Sequence, residues 1–182
     1  MEEKMNFLCL DFINSRWFIT HKPYGDPIDD YDWLLQISTN YHLPEMCSLQ
    51  SNNELKIFRE KMFQAFLKLC KKQLLEPSFI DELNHIFKKI QVYEILIPKD
   101  ENYVLQTQHY SDDLNWVIYQ VARSFSKLIT EYPLAYLKKC ENPECDWIFY
   151  DDSKSHTRKW CDNKCASLMK VRRYRAAKKK SL

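Results

Sequence analysis

Two close pairs of cysteine, Cys140 with Cys145 and Cys161 with Cys165, fall within 26 residues of a 182-residue chain. Clustered thiols beside charged residues are poor core material, whereas tetrahedral zinc accepts four thiolates at about 2.3 Å. Asn142-Pro143 favours a turn that aims the first pair, and the step of four places the second pair on one face of a helix. The spacing predicts one Zn(II) per chain on Cys140, Cys145, Cys161 and Cys165, with His156 as the alternative ligand. Four protein ligands leave no open position for water, so the ion is expected to stabilise the fold and not to catalyse. Trp147-Ile148-Phe149-Tyr150 suits a short strand between the pairs, and Trp160 is placed to roof the site.

The other three cysteines, Cys9, Cys47 and Cys70, are scattered and read as small buried hydrophobes. No secretory signal or membrane-spanning stretch is visible, because Asp11 and Asn14 interrupt the apolar run that begins at Phe7. A cytoplasmic protein with reduced thiols and no membrane partner is expected. With 1 Gly in the chain, phosphate-cradling loops are excluded and helices are favoured.

A net charge of +2 hides an asymmetry: residues 1–135 sum to −5 and residues 136–182 to +7. Four thiolates and one Zn(II) lower the second figure to about +5, which still suits an anionic partner.

Ahead of the cysteines, apolar periodicity predicts a mainly α (α+β) fold. Phe7 to Trp17 reads as a buried helix, with a strand as the alternative. Asp29 or Asp30 caps a helix from Tyr31 that ends before Pro44. Ser51-x-x-Glu54 is a capping box for a long helix with Leu55, Phe58, Met62, Phe66, Leu69 and Leu74 inward. Pro77 opens the next, with Ile80, Leu83, Ile86 or Phe87, and Ile90 as its stripe. Val92 to Ile97 and Tyr103 to Gln108 form a hairpin. Asp112 or Asp113 opens a helix carrying Leu114, Val117, Ile118, Val121, Phe125 and Leu128, which Pro133 ends. The expected division is a helical domain over 1–132 and a zinc module over 133–182, packed together across a short apolar linker.

Cys140-Glu141-Asn142-Pro143-Glu144-Cys145-Asp146-Trp147, with His156-Thr157-Arg158-Lys159-Trp160-Cys161, resembles the CGNR zinc finger family. Leu10-Asp11-Phe12-Ile13-Asn14-Ser15 and Asp26-Pro27 before Asp32-Trp33-Leu34-Leu35 resemble the ABATE domain that precedes this finger in bacterial proteins. The resemblance implies a stress-induced transcription regulator. Where the family has Cys-Gly-Asn-Arg, this chain has Cys165-Ala166-Ser167-Leu168, so DNA binding rests on the basic residues that remain.

Residues 163–180 lack Gly and Pro and read as a helix crowded with cations. Arg158, Lys159, Lys170, Arg172, Arg173, Arg175 and Lys179 are the candidate nucleic-acid contacts, with Arg172, Arg175 and Lys179 on one face. A solvated basic terminus is the plain alternative. Asp11 and Asn14 stand one helical turn apart, with Arg59 as a partner for Asp11; they line an effector pocket or satisfy neighbouring backbone groups. The leading expectation is a DNA-binding regulator whose helical domain senses a small molecule or forms a homodimer. The other is a zinc-stapled module for protein or RNA. No motif recommends an enzyme.

Overall fold

The computed structural model describes residues 5–21, 24–43, 52–109 and 113–180. Cys47, Ser51, Pro44 and Asp112, which carried expectations above, lie outside the described residues.

The first apolar segment is helical, as α1 (Leu8–Asn14) and, after a bend at Ser15 and Arg16, the single turn α2 (Trp17–Thr20). The strand alternative is therefore excluded. Asp26 accepts from the N–H of Ile28 to start a 3-10 turn over Pro27–Asp29. Asp30 accepts from the N–H of Trp33 at 2.9 Å and caps α3 (Tyr31–Tyr41), satisfying a donor the first helical turn leaves open.

The long helix α4 (Asn53–Cys70) buries Leu55, Phe58, Met62, Phe66 and Leu69. Leu74 departs from expectation. The helix ends at Cys70, Lys72 takes the left-handed conformation, and Leu74 is 92% exposed. Pro77 does open α5 (Pro77–Lys89), where a missing N–H costs nothing. Its inward face carries Leu83 and, at its end, Ile90 as expected, with Ile86 and Phe87 packed against the core, but Phe79 is buried in place of Ile80, which is exposed.

Strands β1 (Val92–Lys99) and β2 (Asn102–His109) pair antiparallel around a two-residue turn. Helix α6 (Asp113–Glu131) buries Val117, Val121, Phe125 and Leu128 as expected, together with Trp116 and Ala122. The linker makes a 3-10 turn over Leu134–Tyr136 and runs into β3 (Leu137–Lys139), which pairs antiparallel with β4 (Ile148–Tyr150). Helix α7 (Asn163–Lys180) closes the described chain. The fold is mainly helical with two small hairpins.

The core lies where α1 crosses between α4 and α6. The ring of Phe66 meets Phe125 edge-on at 4.9 Å and Phe79 adds a second edge contact at 5.8 Å, a favoured aromatic arrangement. Leu137, Ile148 and Tyr150 belong to this same apolar cluster. The finger's β-hairpin is thus packed into the helical body and is not hung from it. Among the described residues, no helix is long and apolar enough to cross a membrane.

Candidate metal centre and basic helix

The first cysteine pair is set by a short hairpin and a side-chain-built turn. Cys140 follows β3, and its N–H donates to the carbonyl of Trp147 at 2.9 Å. Beyond it, the N–H of Cys145 donates to the carbonyl of Asn142, while the Asn142 side-chain oxygen accepts from the N–H of Glu144. An Asn suits this place because its amide can imitate a backbone turn. Asn142 is buried, and its Nδ2 reaches 3.4 Å from Cys165 Sγ, tying the two halves of the site together.

The second pair differs from expectation. Cys161 precedes α7, and only Cys165 lies on it. Asp162 stands between them as the helix cap: its carboxylate accepts from the N–H of Cys165 at 2.7 Å, and its carbonyl from that of Ala166. The cap fixes the first turn of α7, so the ligand and the basic helix share one anchor.

These elements bring four sulfurs within 4.8 Å of one another. Cys145 Sγ stands 3.8 Å and Cys165 Sγ 3.7 Å from Cys161 Sγ. Four thiolates at zinc-bond length around a tetrahedral centre are separated by about 3.8 Å, so the cage fits zinc. His156 does not join the cluster. Its ring stacks on Tyr136 at 3.5 Å and Nδ1 lies 2.8 Å from the carbonyl of Asp151.

The thiols are poised unequally. The bond from Cys161 holds Cys145 down to about 6 and pushes Cys161 itself up, while burial pushes Cys165 up to about 11. Filling the site with zinc therefore expels protons. By contrast, burial pushes Cys9 up to about 12 and Cys70 up to about 11, which leaves both unreactive at neutral pH.

A buried carboxylate braces the loop between the pairs. Asp151 is fully buried and accepts from Lys138 Nζ at 2.7 Å, from the Arg158 N–H at 2.8 Å and from the Ser153 hydroxyl at 2.6 Å. Burial opposes its charge, but these donors outweigh it and hold the carboxyl down to about 2. Asn142 was legible in the sequence as part of the turn but not as a side-chain partner of Cys165, and Asp151 did not stand out; the spacing of Asp162 to Cys165 was a capping signal that could have been read there.

The candidate cations separate into two groups. Arg158 is spent on structure: it donates to the carbonyl of Cys161 at 2.7 Å, pairs with Asp152 and lies 5.0 Å above the Phe149 ring. Arg172 pairs with Glu144 at 2.5 Å and reaches Asn142, so it fastens α7 to the first turn. Arg173 lies 5.3 Å over Trp160, and Lys159 sits 3.5 Å from Glu141. Lys170, Arg175 and Lys179 are exposed and, among the described residues, form no ion pair; Lys164 and Lys178 are alike. Trp160 is half-buried beside Ala166, Ser167, Lys170 and Arg173, which line a shallow cleft of about 390 Å³.

Residues 136–178 match the CGNR zinc finger family. The four cysteines within that stretch form a zinc-binding site for one ion per chain. No curated protein matches the chain. In place of the family's Gly-Asn-Arg, Ala166, Ser167 and Leu168 occupy the opening turns of α7, with Ser167 and Leu168 exposed.

The three residues considered for an effector pocket do not converge. Asp11 is exposed and accepts from the Tyr41 hydroxyl at 2.6 Å. Asn14 is buried and pairs twice with Ile148, donating to its carbonyl at 2.7 Å and accepting from its N–H at 2.9 Å. It splices α1 to β4 as a third strand would. Arg59 pairs with Asp26, not Asp11, through two bonds of 2.6 Å, and also donates to Ser15 Oγ. The Asp26 carboxyl is consequently held below the usual carboxylate range, the guanidinium outweighing burial. More contacts hold finger to body: Trp147 meets Trp17 and Phe18 edge-on, and His21 Nε2 lies 3.2 Å from the carbonyl of Glu144.

Proposed function

We propose that this protein is a non-enzymatic, DNA-binding transcription regulator in which the zinc centre holds α7 out as the contacting element. The supporting observation is the division of the cations: Arg158 and Arg172 secure the finger, while Lys164, Lys170, Arg175, Lys178 and Lys179 remain unpaired among the described residues. Unpaired cations on a rigidly based helix can neutralise phosphates, and a helix fits the major groove. Arg175 is the candidate for bidentate contact to guanine, since Arg172 is engaged elsewhere. The ABATE-like segment and the stress-responsive role implied by it belong to the same proposal. A cleft of about 310 Å³ lined by Phe7, Tyr41, Arg123, Lys127 and Glu131 is the place for an effector, instead of the Asp11, Asn14 and Arg59 set.

One observation favours the second reading, a zinc-stapled module for protein or RNA. Leu168, Val171 and Tyr174 are exposed on α7 among the cations, at 41%, 44% and 69%. Apolar side chains interleaved with charge suit stacked bases or an acidic, apolar protein surface.

Selection from a random duplex library, followed by titration at several salt concentrations, separates the readings. For a DNA reader, Arg175→Ala lowers affinity for the selected site by about 1–3 kcal/mol more than for random duplex. Lys178→Ala with Lys179→Ala weakens both alike and flattens the slope of log affinity against log salt by about 0.9 for each phosphate left without its cation. Enrichment of no sequence, with Arg175→Ala binding duplex as the wild type does, rules out base reading.

A further inference from the structure

The strands of the β1–β2 hairpin run eight residues each and contact one another far more than they contact any other described element. Two strands alone are marginal in water, and three or more sharing an apolar face are needed for independent stability. Its root is held by the stack of His109 on Trp116 at 3.9 Å. Towards the tip, the face carrying the directly opposed pairs Leu96–Leu105 and Pro98–Tyr103 stands open, with Leu96 64%, Tyr103 70% and Leu105 63% exposed.

The two edges are not equivalent. The turn closes on the Lys99–Asn102 pair, so antiparallel alternation directs the backbone of Glu94, Leu96 and Pro98 outward from β1, and of Tyr103, Leu105 and Thr107 outward from β2. Pro98 has no N–H to offer, and β1 also carries Glu94 and Lys99. Proline and charge are the usual guards of a free edge. β2 reads Asn102-Tyr103-Val104-Leu105-Gln106-Thr107-Gln108-His109, with no carboxylate, lysine, arginine or proline. Its edge is unguarded.

We propose that the β2 edge pairs with the same edge of a second copy of this chain, giving a four-stranded sheet in the order β1-β2-β2-β1 about a two-fold axis. Antiparallel pairing centred on Leu105 satisfies the symmetry, because Leu105 then faces its own equivalent and Tyr103 faces Thr107 of the other copy. The outward N–H and C=O groups of all three find partners. Leu96 and Leu105 of both copies join on one face as a continuous apolar band. A strand without fixed charge meets itself without repulsion, whereas the basic α7 does not, which favours this edge over the helix as the self-contact. Two-fold closure also stops growth, since the outer edges of the sheet are the Pro98-bearing strands. The contact is independent of whether α7 reads DNA.

The test uses the full zinc-loaded chain. Light scattering after size exclusion, at micromolar concentration, is expected to give twice the chain mass of 22.1 kDa for the wild type. Leu105→Glu and Leu105→Lys are each expected to run at the single-chain mass with unchanged far-ultraviolet circular dichroism, since Leu105 is exposed in one copy. An equal mixture of the two variants restores the doubled mass, because residue 105 faces itself across the axis. Amide exchange at Tyr103, Leu105 and Thr107 slows in the wild type and speeds in either variant. A single-chain wild type overturns the proposal, including one whose Leu105 amide is slow, which places the cover within the chain. A Leu105→Glu protein that keeps the doubled mass, or a mixture that does not re-pair, overturns it as well.

Discussion

At the residue scale, buried polar side chains do as much to place the metal site as the cysteines do. Asn14 satisfies both backbone groups of Ile148, so Asn14→Ala is expected to cost about 1–3 kcal/mol in denaturant stability, the penalty for leaving buried groups unpaired. Asp151 and Asp26 ionise below the ordinary carboxylate value near 4. The stability they contribute is complete above that value and is lost as pH falls, for Asp151 through about 2. Acid titration of the wild type, followed by fluorescence, should therefore show unfolding below about pH 4, and Asp151→Asn should both lower neutral stability and flatten that acid dependence. A variant with undiminished acid sensitivity would place the titrating group elsewhere. The cysteine ligands were legible in the sequence because spacing alone constrains a tetrahedral cage. Asn14 was visible as a polar residue in apolar surroundings and Arg59 as a partner for Asp11, but their actual partners were not: Ile148 and Asp26 lie far along the chain, and no periodicity encodes such a pairing.

At the scale of elements, apolar period located α4, α5, α6 and the hairpin, and the lack of Gly and Pro located α7, while ends and facing were less legible. Leu74 continued a plausible stripe, yet the helix ends at Cys70, the backbone turns through a left-handed Lys72, and Leu75 instead of Leu74 packs against the core. Phe79, not Ile80, faces inward because the position of α6 decides which side of α5 is covered. The start of α7 one residue after Asp162 follows from a cap that also positions a metal ligand. Asp162→Ala is expected to cost about 1 kcal/mol at the helix start and to weaken zinc retention against a competing chelator, whereas Asp162→Asn or Asp162→Ser should restore most of both. Equal retention by the alanine variant would separate the cap from the metal site.

At the scale of the whole molecule, division into a helical domain and a zinc module describes the sequence better than it describes the core. Leu137, Ile148 and Tyr150 from the finger complete the apolar cluster built by α1, α4 and α6. Chelation should accordingly unfold α7 and the two cysteine turns while the β3–β4 hairpin remains docked, a partial loss of helix by circular dichroism. Because Cys161 and Cys165 hold their protons at neutral pH without metal, zinc uptake should also release protons, measurable by calorimetry in buffers of different ionisation enthalpy. Four cysteines hold one zinc, and that zinc is expected to organise the basic helix. Metal analysis of purified wild type and Cys161→Ser, with circular dichroism on the same samples, tests it most directly. One zinc per wild-type chain, with loss of both zinc and the α7 contribution in the variant, is the predicted result; full zinc occupancy in Cys161→Ser, or an intact α7 in metal-free protein, would contradict it.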